Sequence, residues 1–356
     1  MITIDADAHV VETEATWSYM DGADEKYRPI LVTSRHEVPG VPPDISLEEM
    51  LRRPSFFVCD DQAFPTATVA SRHYPSGAQF PSDIKARIRH LDELGIDVQV
   101  LYPSVFLDSA FRSVDAECAL VRSYNRWVAD LCSSHTDRLR WAVVICASNV
   151  EFSLRQMEEG RRKGACAVFM KGYENDRMID DTIFFPIYAK ASELDLPIAI
   201  HSGIATQAMK RMVHGKHANF AALTLPVIAA MAALYKSGIP KRFPTLRVGF
   251  LEAAAAWIPF VVYRADAGWN TAHDWTAHRQ SFLGENRFYV TVEPHEDIPM
   301  LLSYGAGDSL MVATDYGHSD GATAITAHID VRKRADVSPA IANKLLGSNA
   351  AKFYGI

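Results

Sequence analysis

Eight short β-rich runs recur along the chain, and segments with helical patterning separate them. The runs are Ile2–Asp7, Val98–Tyr102, Trp141–Cys146, Ala165–Met170, Pro197–His201, Leu246–Leu251, Arg287–Val292 and Ser309–Thr314. Helical patterning falls on Pro81–Leu94, Asp115–Ser134, Glu151–Lys163, Ile183–Leu194, Leu223–Ser237, Ala253–Tyr263, Pro299–Tyr304 and Pro339–Phe353. Strands that alternate with helices form βαβ units, and those build a parallel sheet. Eight such units predict an α/β fold of the (β/α)8 TIM-barrel type rather than an open sheet. A doubly wound open sheet would call for a phosphate fingerprint, and neither G-x-G-x-x-G nor G-x-x-x-x-G-K-[ST] follows any run.

The 356 residues would make about two domains at roughly 150 residues each. A barrel alone takes about 250 of them. The surplus concentrates in Thr13–Ser82, a Pro- and aromatic-rich stretch of weak periodicity after the first strand. It is too long for a connector. The expectation is one barrel over residues 1–356, with 13–82 as a lid or small subdomain above its mouth.

Charge and composition narrow the function. Lys and Arg number 36 against 43 Asp and Glu, a net charge of −7, which argues against a nucleic-acid-binding surface. Arg332-Lys333-Arg334 reads as a solvated helix face. The longest apolar stretch, Phe250–Val262, contains Glu252 and Pro259 and is too short to span a membrane. Met1–His9 lacks the basic region of a secretory signal, so a cytoplasmic protein is expected. Cys59, Cys118, Cys132, Cys146 and Cys166 form no CxxC pair and are expected to be free, buried thiols. Neither Ser76-Gly77 nor Ser202-Gly203 lies in a G-x-S-x-G elbow, which argues against a serine hydrolase.

Barrel enzymes carry their chemistry at the C-terminal ends of the strands. The first strand ends in Asp5-Ala6-Asp7-Ala8-His9-Val10-Val11-Glu12. Asp7 and His9 are two apart, so an extended chain turns them to the same side. The fourth strand ends at Lys171, the fifth at His201, the sixth at Glu252, the seventh near Glu293 and His295, and the eighth at Asp315. Imidazoles and carboxylates converging from separate strands suit a divalent metal such as Zn, Mn or Fe.

The set Asp7-x-His9, His201 and Asp315, with the strings HSG (His201–Gly203), FLEAAAAWIP (Phe250–Pro259) and ATDYGHSD (Ala313–Asp320), resembles the amidohydrolase superfamily. It is most similar to the "amidohydrolase 2" branch that includes the aminocarboxymuconate semialdehyde and resorcylate-type decarboxylases. The resemblance implies that Asp7, His9, His201 and Asp315 hold a catalytic divalent metal, with Asp315 as general base. One departure bears on the reaction. The decarboxylases have a His at the end of strand six, where this chain has Glu252.

With Glu12, four acidic groups then surround two imidazoles, an excess of charge that recruits protons or a second cation. A dinuclear site of iron, manganese or both is therefore expected, or zinc if only one ion binds. The Asp-x-Asp-x-His-x-x-Glu opening, Glu252 and Asp-Tyr-Gly-His-Ser-Asp look similar to a subgroup with oxygen-activating dinuclear centres that hydroxylate C–H bonds of carboxylate substrates. The expected partners are thus a small carboxylate-bearing substrate and O2, in a homo- or hetero-oligomer. Hydrolysis of an amide or lactone, non-oxidative decarboxylation, and a silent partner subunit stand as alternatives.

Other residues carry open readings. Lys171 is a carboxylated metal bridge, a contact for the substrate carboxylate, or half of a salt bridge. His318 is a ligand of the second metal or a donor behind it, with a catalytic role alongside Asp315 and Glu252. His214 and His217 ligate the second metal or line the mouth, and His295 is a weaker candidate. Arg72 in the insertion suits a substrate carboxylate through its planar fork. His273 and His278 read as surface or interface residues. His36, His73, His90, His135 and His328 have no motif context.

Overall fold

The computed structural model describes residues 2–33, 55–65, 74–75, 77–79, 83–108, 111–206, 208–209, 220–266, 274–318 and 323–356. Its strands are β1 (Ile4–His9), β2 (Ile30–Thr33), β3 (Ser55–Cys59), β4 (Gln62–Pro65), β5 (Val98–Tyr102), β6 (Leu139–Val144), β7 (Ala165–Lys171), β8 (Tyr173–Glu174), β9 (Arg177–Met178), β10 (Ile198–His201), β11 (Val248–Leu251), β12 (Phe288–Val292) and β13 (Leu310–Val312). Eight of them form one sheet in the order β1-β5-β6-β7-β10-β11-β12-β13, and every pairing in it is parallel. Helices follow the strands and cover the outside, which gives the (β/α)8 barrel expected from the sequence. Among the described residues, no helix is long and apolar enough to cross a membrane. The five cysteines are free and buried.

The seam between first and last strand is closed differently from the other seven. Beyond β13 the chain keeps contact with β1 through Asp315 N–H to Asp7 O at 3.0 Å and His9 N–H to Tyr316 O at 2.5 Å. Below them the buried Asp5 carboxylate accepts the Thr314 N–H at 2.9 Å and the Thr314 hydroxyl at 2.5 Å. Its Oδ2 also accepts from Gln99 Nε2 on β5 at 2.8 Å. One side chain thus ties β1 to both flanking strands. Burial pushes its carboxyl above the ordinary range, and His328 and these donors pull the other way. Between Asp5 and Ala8 the register of β1 against β5 slips by one residue. Such a bulge re-aims side chains at a barrel rim.

Some expected boundaries shift. β1 runs to His9, two residues beyond the expected end, so Asp7 and His9 lie within the strand. The helix expected from Ala253 starts at Ile258. Residues between β11 and that helix are held as a loop by Glu296, whose carboxylate accepts from Ala255 N and Ala256 N at 2.8 and 2.7 Å. The helix Trp275–Asn286 was not expected, since it buries only Phe282 and Leu283 and shows weak periodicity.

Within 13–82, β2, β3 and β4 form an antiparallel sheet of their own. Asp60-Asp61 joins β3 to β4 with φ of 50° and 56°. Two left-handed residues in succession make the primed turn that suits a tight hairpin. Phe64 of this sheet is buried against Phe111, and Gln62 accepts the Arg112 N–H at 2.8 Å. The small sheet therefore packs on the segment that follows β5.

Asp5→Ala would leave the Thr314 N–H and the Gln99 amide buried without their acceptor. The expected cost is about 2–4 kcal/mol, read as a lower midpoint in urea unfolding of the metal-free protein.

Candidate metal centre

Six side chains meet at the C-terminal end of the barrel. Asp7 and His9 come from β1, His201 ends β10, Glu252 follows β11, and Asp315 and His318 lie on the loop after β13. Two groups have donor atoms close enough to share an ion: Asp7, His9, His201 and Glu252, and then His9, Asp315 and His318. His201 Nε2 is 3.1 Å from Asp7 Oδ2 and 3.2 Å from Glu252 Oε2. His9 Nε2 is 3.6 Å from Asp7 Oδ1 and 3.4 Å from Asp315 Oδ1. His318 Nδ1 is 2.7 Å from Asp315 Oδ1, and its ring stacks on His9 with centroids 3.8 Å apart.

The outer nitrogens decide what the inner ones can be. His9 Nδ1 is 2.9 Å from Pro103 O, and His201 Nδ1 is 2.8 Å from Ser202 O. A carbonyl only accepts, so both outer nitrogens carry the proton. The Ser104 hydroxyl donates to Val10 O at 2.8 Å, so at 2.9 Å from His318 Nε2 it is the acceptor. In neutral imidazoles the inner nitrogens are then His9 Nε2, His201 Nε2 and His318 Nδ1. Each presents a lone pair to a carboxylate. Lone pair against carboxylate is repulsive unless a cation or a proton lies between them. His9 Nε2 is buried and makes no hydrogen bond. The donor set therefore fits divalent metal.

Without metal the cluster distorts its own acid–base chemistry. Burial opposes a charge on His201, but Asp7 and then Glu252 outweigh it and push the imidazole up to about 10. Burial, then Asp315 and Asp7, push Glu252 up to about 8, against the pull of His201. Burial, then His318 and His201, hold His9 well below its ordinary value.

The backbone is specialised here as well. Glu252 and Asp315 have φ of 53° and 51°, a left-handed conformation that β-carbon-bearing residues seldom take and that recurs at functional sites. The Glu252 N–H donates to Thr291 Oγ1 at 3.0 Å, and Thr323 Oγ1 donates to Asp315 Oδ2 at 2.7 Å. Gly317 has φ of 110°, and a Cβ there would lie 2.6 Å from His9 O. Only glycine lets the chain turn that tightly and lay His318 over His9. From the insertion, Tyr74 donates its hydroxyl to His318 O at 3.0 Å, and Gln79 Nε2 donates to Gly317 O at 3.1 Å.

Several expected residues lie elsewhere. Glu12 is in neither ligand group. Its carboxylate accepts the backbone N–H of Ser104 at 3.0 Å and of Val105 at 3.1 Å, and burial pushes it up to about 7. It pins the 103–105 loop, which in turn supplies Pro103 O to His9 and Ser104 Oγ to His318. Lys171 ends β7 and is buried. Its ammonium reaches Phe106 O at 3.3 Å and Glu174 Oε2 at 3.9 Å. The Gly203 of HSG passes close to it, where a Cβ would meet Leu107 O at 2.8 Å and Lys171 Cδ at 3.0 Å.

His295 is exposed and pairs with Glu293 at 3.0 Å. His278 packs its ring against Trp275 and Phe282. His90 and His328 are structural, bonded to the Tyr316 hydroxyl and to Ile4 O. Arg72, His73, His214, His217, His36 and His273 lie outside the described residues. Sequence reasoning missed Pro103 and Ser104, although they directly follow a strand, where site residues of barrels gather.

Comparisons with known proteins bear on the family and the fold. The sequence model of the family described as Amidohydrolase matches residues 4–356. A 2-amino-3-carboxymuconate-6-semialdehyde decarboxylase from Dictyostelium discoideum is 21% identical over 280 residues, 77% of each chain. Among solved structures, an amidohydrolase from Mycobacterium avium subsp. paratuberculosis superposes with a TM-score of 0.78 at 14% identity, covering 100% of this chain and 98% of its own. A 5-carboxyvanillate decarboxylase from Novosphingobium aromaticivorans, solved with manganese and a methoxy-hydroxy-nitrobenzoic acid, gives 0.67 at 18% identity, covering 100% and 97%.

Ser104→Ala removes the acceptor that orients His318. Partners behind a ligating histidine typically contribute about 10–100-fold in metal affinity. A loss of that size is expected in a chelator competition titration with manganese, with the unfolding midpoint of the metal-free protein little changed.

Proposed function

The chain belongs to the amidohydrolase family, and we propose that it is a metal-dependent member whose site takes two divalent ions and hydroxylates a C–H bond of a carboxylate-bearing substrate with O2. The observation that carries this reading is the donor set: three carboxylates and three imidazoles, with every inner nitrogen turned toward a carboxylate. His9 Nε2 is a single lone pair and serves one ion. Asp7, His9, His201 and Glu252 would hold the first ion, and Asp315 and His318 the second. Two dications exceed three carboxylates by one positive charge, which an anionic substrate offsets. One dication would leave the site negative and repel that substrate.

Bound iron or manganese would supply the redox chemistry that O2 needs, with an external two-electron donor: one oxygen atom enters the C–H bond, and the other leaves as water with two electrons from that donor and two protons. The chain's own residues set the conditions for it. Pro103 O, Ser202 O and the Ser104 hydroxyl each keep one imidazole in one tautomer, and Glu12 pins the loop that carries Pro103 and Ser104. Asp315, bonded to Thr323, serves in this reading as a base. The insertion, anchored to the last loop by Tyr74 and Gln79, serves in this reading as a lid that excludes water.

A second reading, non-oxidative decarboxylation, is favoured by the decarboxylase relatives. One ion would suffice there. The C–C bond to the departing CO2 breaks, its electron pair stays on carbon, and a proton returns to that carbon. Glu252 is the group at the strand end to deliver it, in place of a histidine.

Elemental analysis and oxygen consumption separate the two. Protein produced with iron and manganese supplied is expected to hold two equivalents per chain and to consume O2 on turnover. Glu252→Gln is expected to keep one equivalent and lose the other. One equivalent in the unaltered protein, with oxygen-independent CO2 release, would establish the decarboxylase reading instead.

A further inference from the structure

A cavity of about 620 Å³ opens beside the metal centre. That size suits a ligand well beyond a few atoms. It lies between two consecutive barrel helices, Leu225–Lys236 after β10 and Ile258–Asp266 after β11. Ser202 and Glu252, the neighbours of His201 at those strand ends, form its inner end. The cavity therefore runs outward from the ions' position.

Its walls are apolar. Leu223 and Ile228 face it from one side, and Trp257 from the other. The Trp257 indole N–H is already committed to Ala253 O at 2.8 Å and Ala254 O at 2.9 Å, so the ring presents carbon. At the mouth Phe220 and Phe260 are 60% and 63% exposed, with Leu225 beside them. Large apolar side chains grouped around a concave surface and left to water mark a place that something apolar covers. A π-helical turn, Phe220–Thr224, shapes this edge, and such turns recur at functional sites.

The only charged side chains among the described lining residues are Glu252 and Glu293, and both are acidic. A carboxylate in the cavity finds no basic partner among them. Among the described lining, its favourable place is at the inner end, against the cations held beside His201 and Glu252.

We propose that this cavity binds the body of the substrate: a carboxylic acid with a bulky apolar ring or chain, its head at the ions and its carbon skeleton along Leu223, Ile228 and Trp257. The orientation of the head rests on the two-ion reading. The apolar body does not, since it follows from the lining alone.

The test is calorimetric titration of the manganese-loaded protein with two homologous series, straight-chain carboxylates from butanoate to decanoate and the matching 1-alkanols. Burying each added CH2 should lower the dissociation constant about three- to fourfold in both series. Carboxylates should bind more tightly than alcohols of equal length, and only with manganese present. Leu225→Glu and Phe260→Glu, at exposed positions that folding tolerates, should weaken decanoate about 10-fold or more while leaving manganese content and butanoate binding unchanged. A series that does not steepen with chain length overturns the cavity assignment. Steep alcohols with no gain of carboxylates from manganese overturn the head-in orientation and the reading under it, while the apolar cavity stands. If the two substitutions only shift the sedimentation coefficient and leave the slopes intact, the patch joins copies of the chain and the proposal falls.

Discussion

The Asp5 carboxylate, bonded to Thr314 on one side and Gln99 on the other, is the contact on which the rest of the site depends. It closes the barrel where the two ends of the chain meet. The four remaining donors of the seam, Asp7, His9, Asp315 and His318, come from residues more than three hundred apart in sequence, and they converge only if that closure holds. Each seam contact above Asp5 also fixes a donor: Asp315 N–H to Asp7 O sets the backbone of both, and His9 N–H to Tyr316 O does the same one step further. Barrel stability and metal-site geometry are therefore the same set of hydrogen bonds.

A buried arrangement of three lone pairs against three carboxylates is unfavourable in the bare protein. Protons relieve it in part, and His201 and Glu252 take the shifts described above. The surrounding structure nevertheless keeps the arrangement. Glu12 pins the loop that fixes two of the rings, left-handed backbone holds Glu252 and Asp315 in place, and Gly317 lets His318 stack on His9. Cost accepted locally and supported from outside is the pattern of a preorganised binding site rather than of a core.

Much of this was legible in the sequence. Barrel strands are buried on both faces and so read as apolar runs, which made all eight visible. Asp7, His9, His201 and Asp315 were visible because barrels expose chemistry at strand ends. Where Glu12 points was not legible, because past His9 the strand alternation ends and sequence spacing no longer says where a side chain points. Ser104 reaches the site by bonding a ring nitrogen from behind, and an isolated serine after a strand carries no pattern. The late start of the helix after β11 depends on Glu296, forty residues further on, and local periodicity cannot register such a partner.

The central claim is that cations occupy the space between these inward-facing nitrogens and carboxylates. Diffraction from crystals of the manganese-loaded protein, collected at the manganese absorption edge, tests it most directly. The account predicts one anomalous peak among Asp7, His9, His201 and Glu252 and a second beside Asp315 and His318. Ordered protein with no anomalous density at this cluster would contradict it.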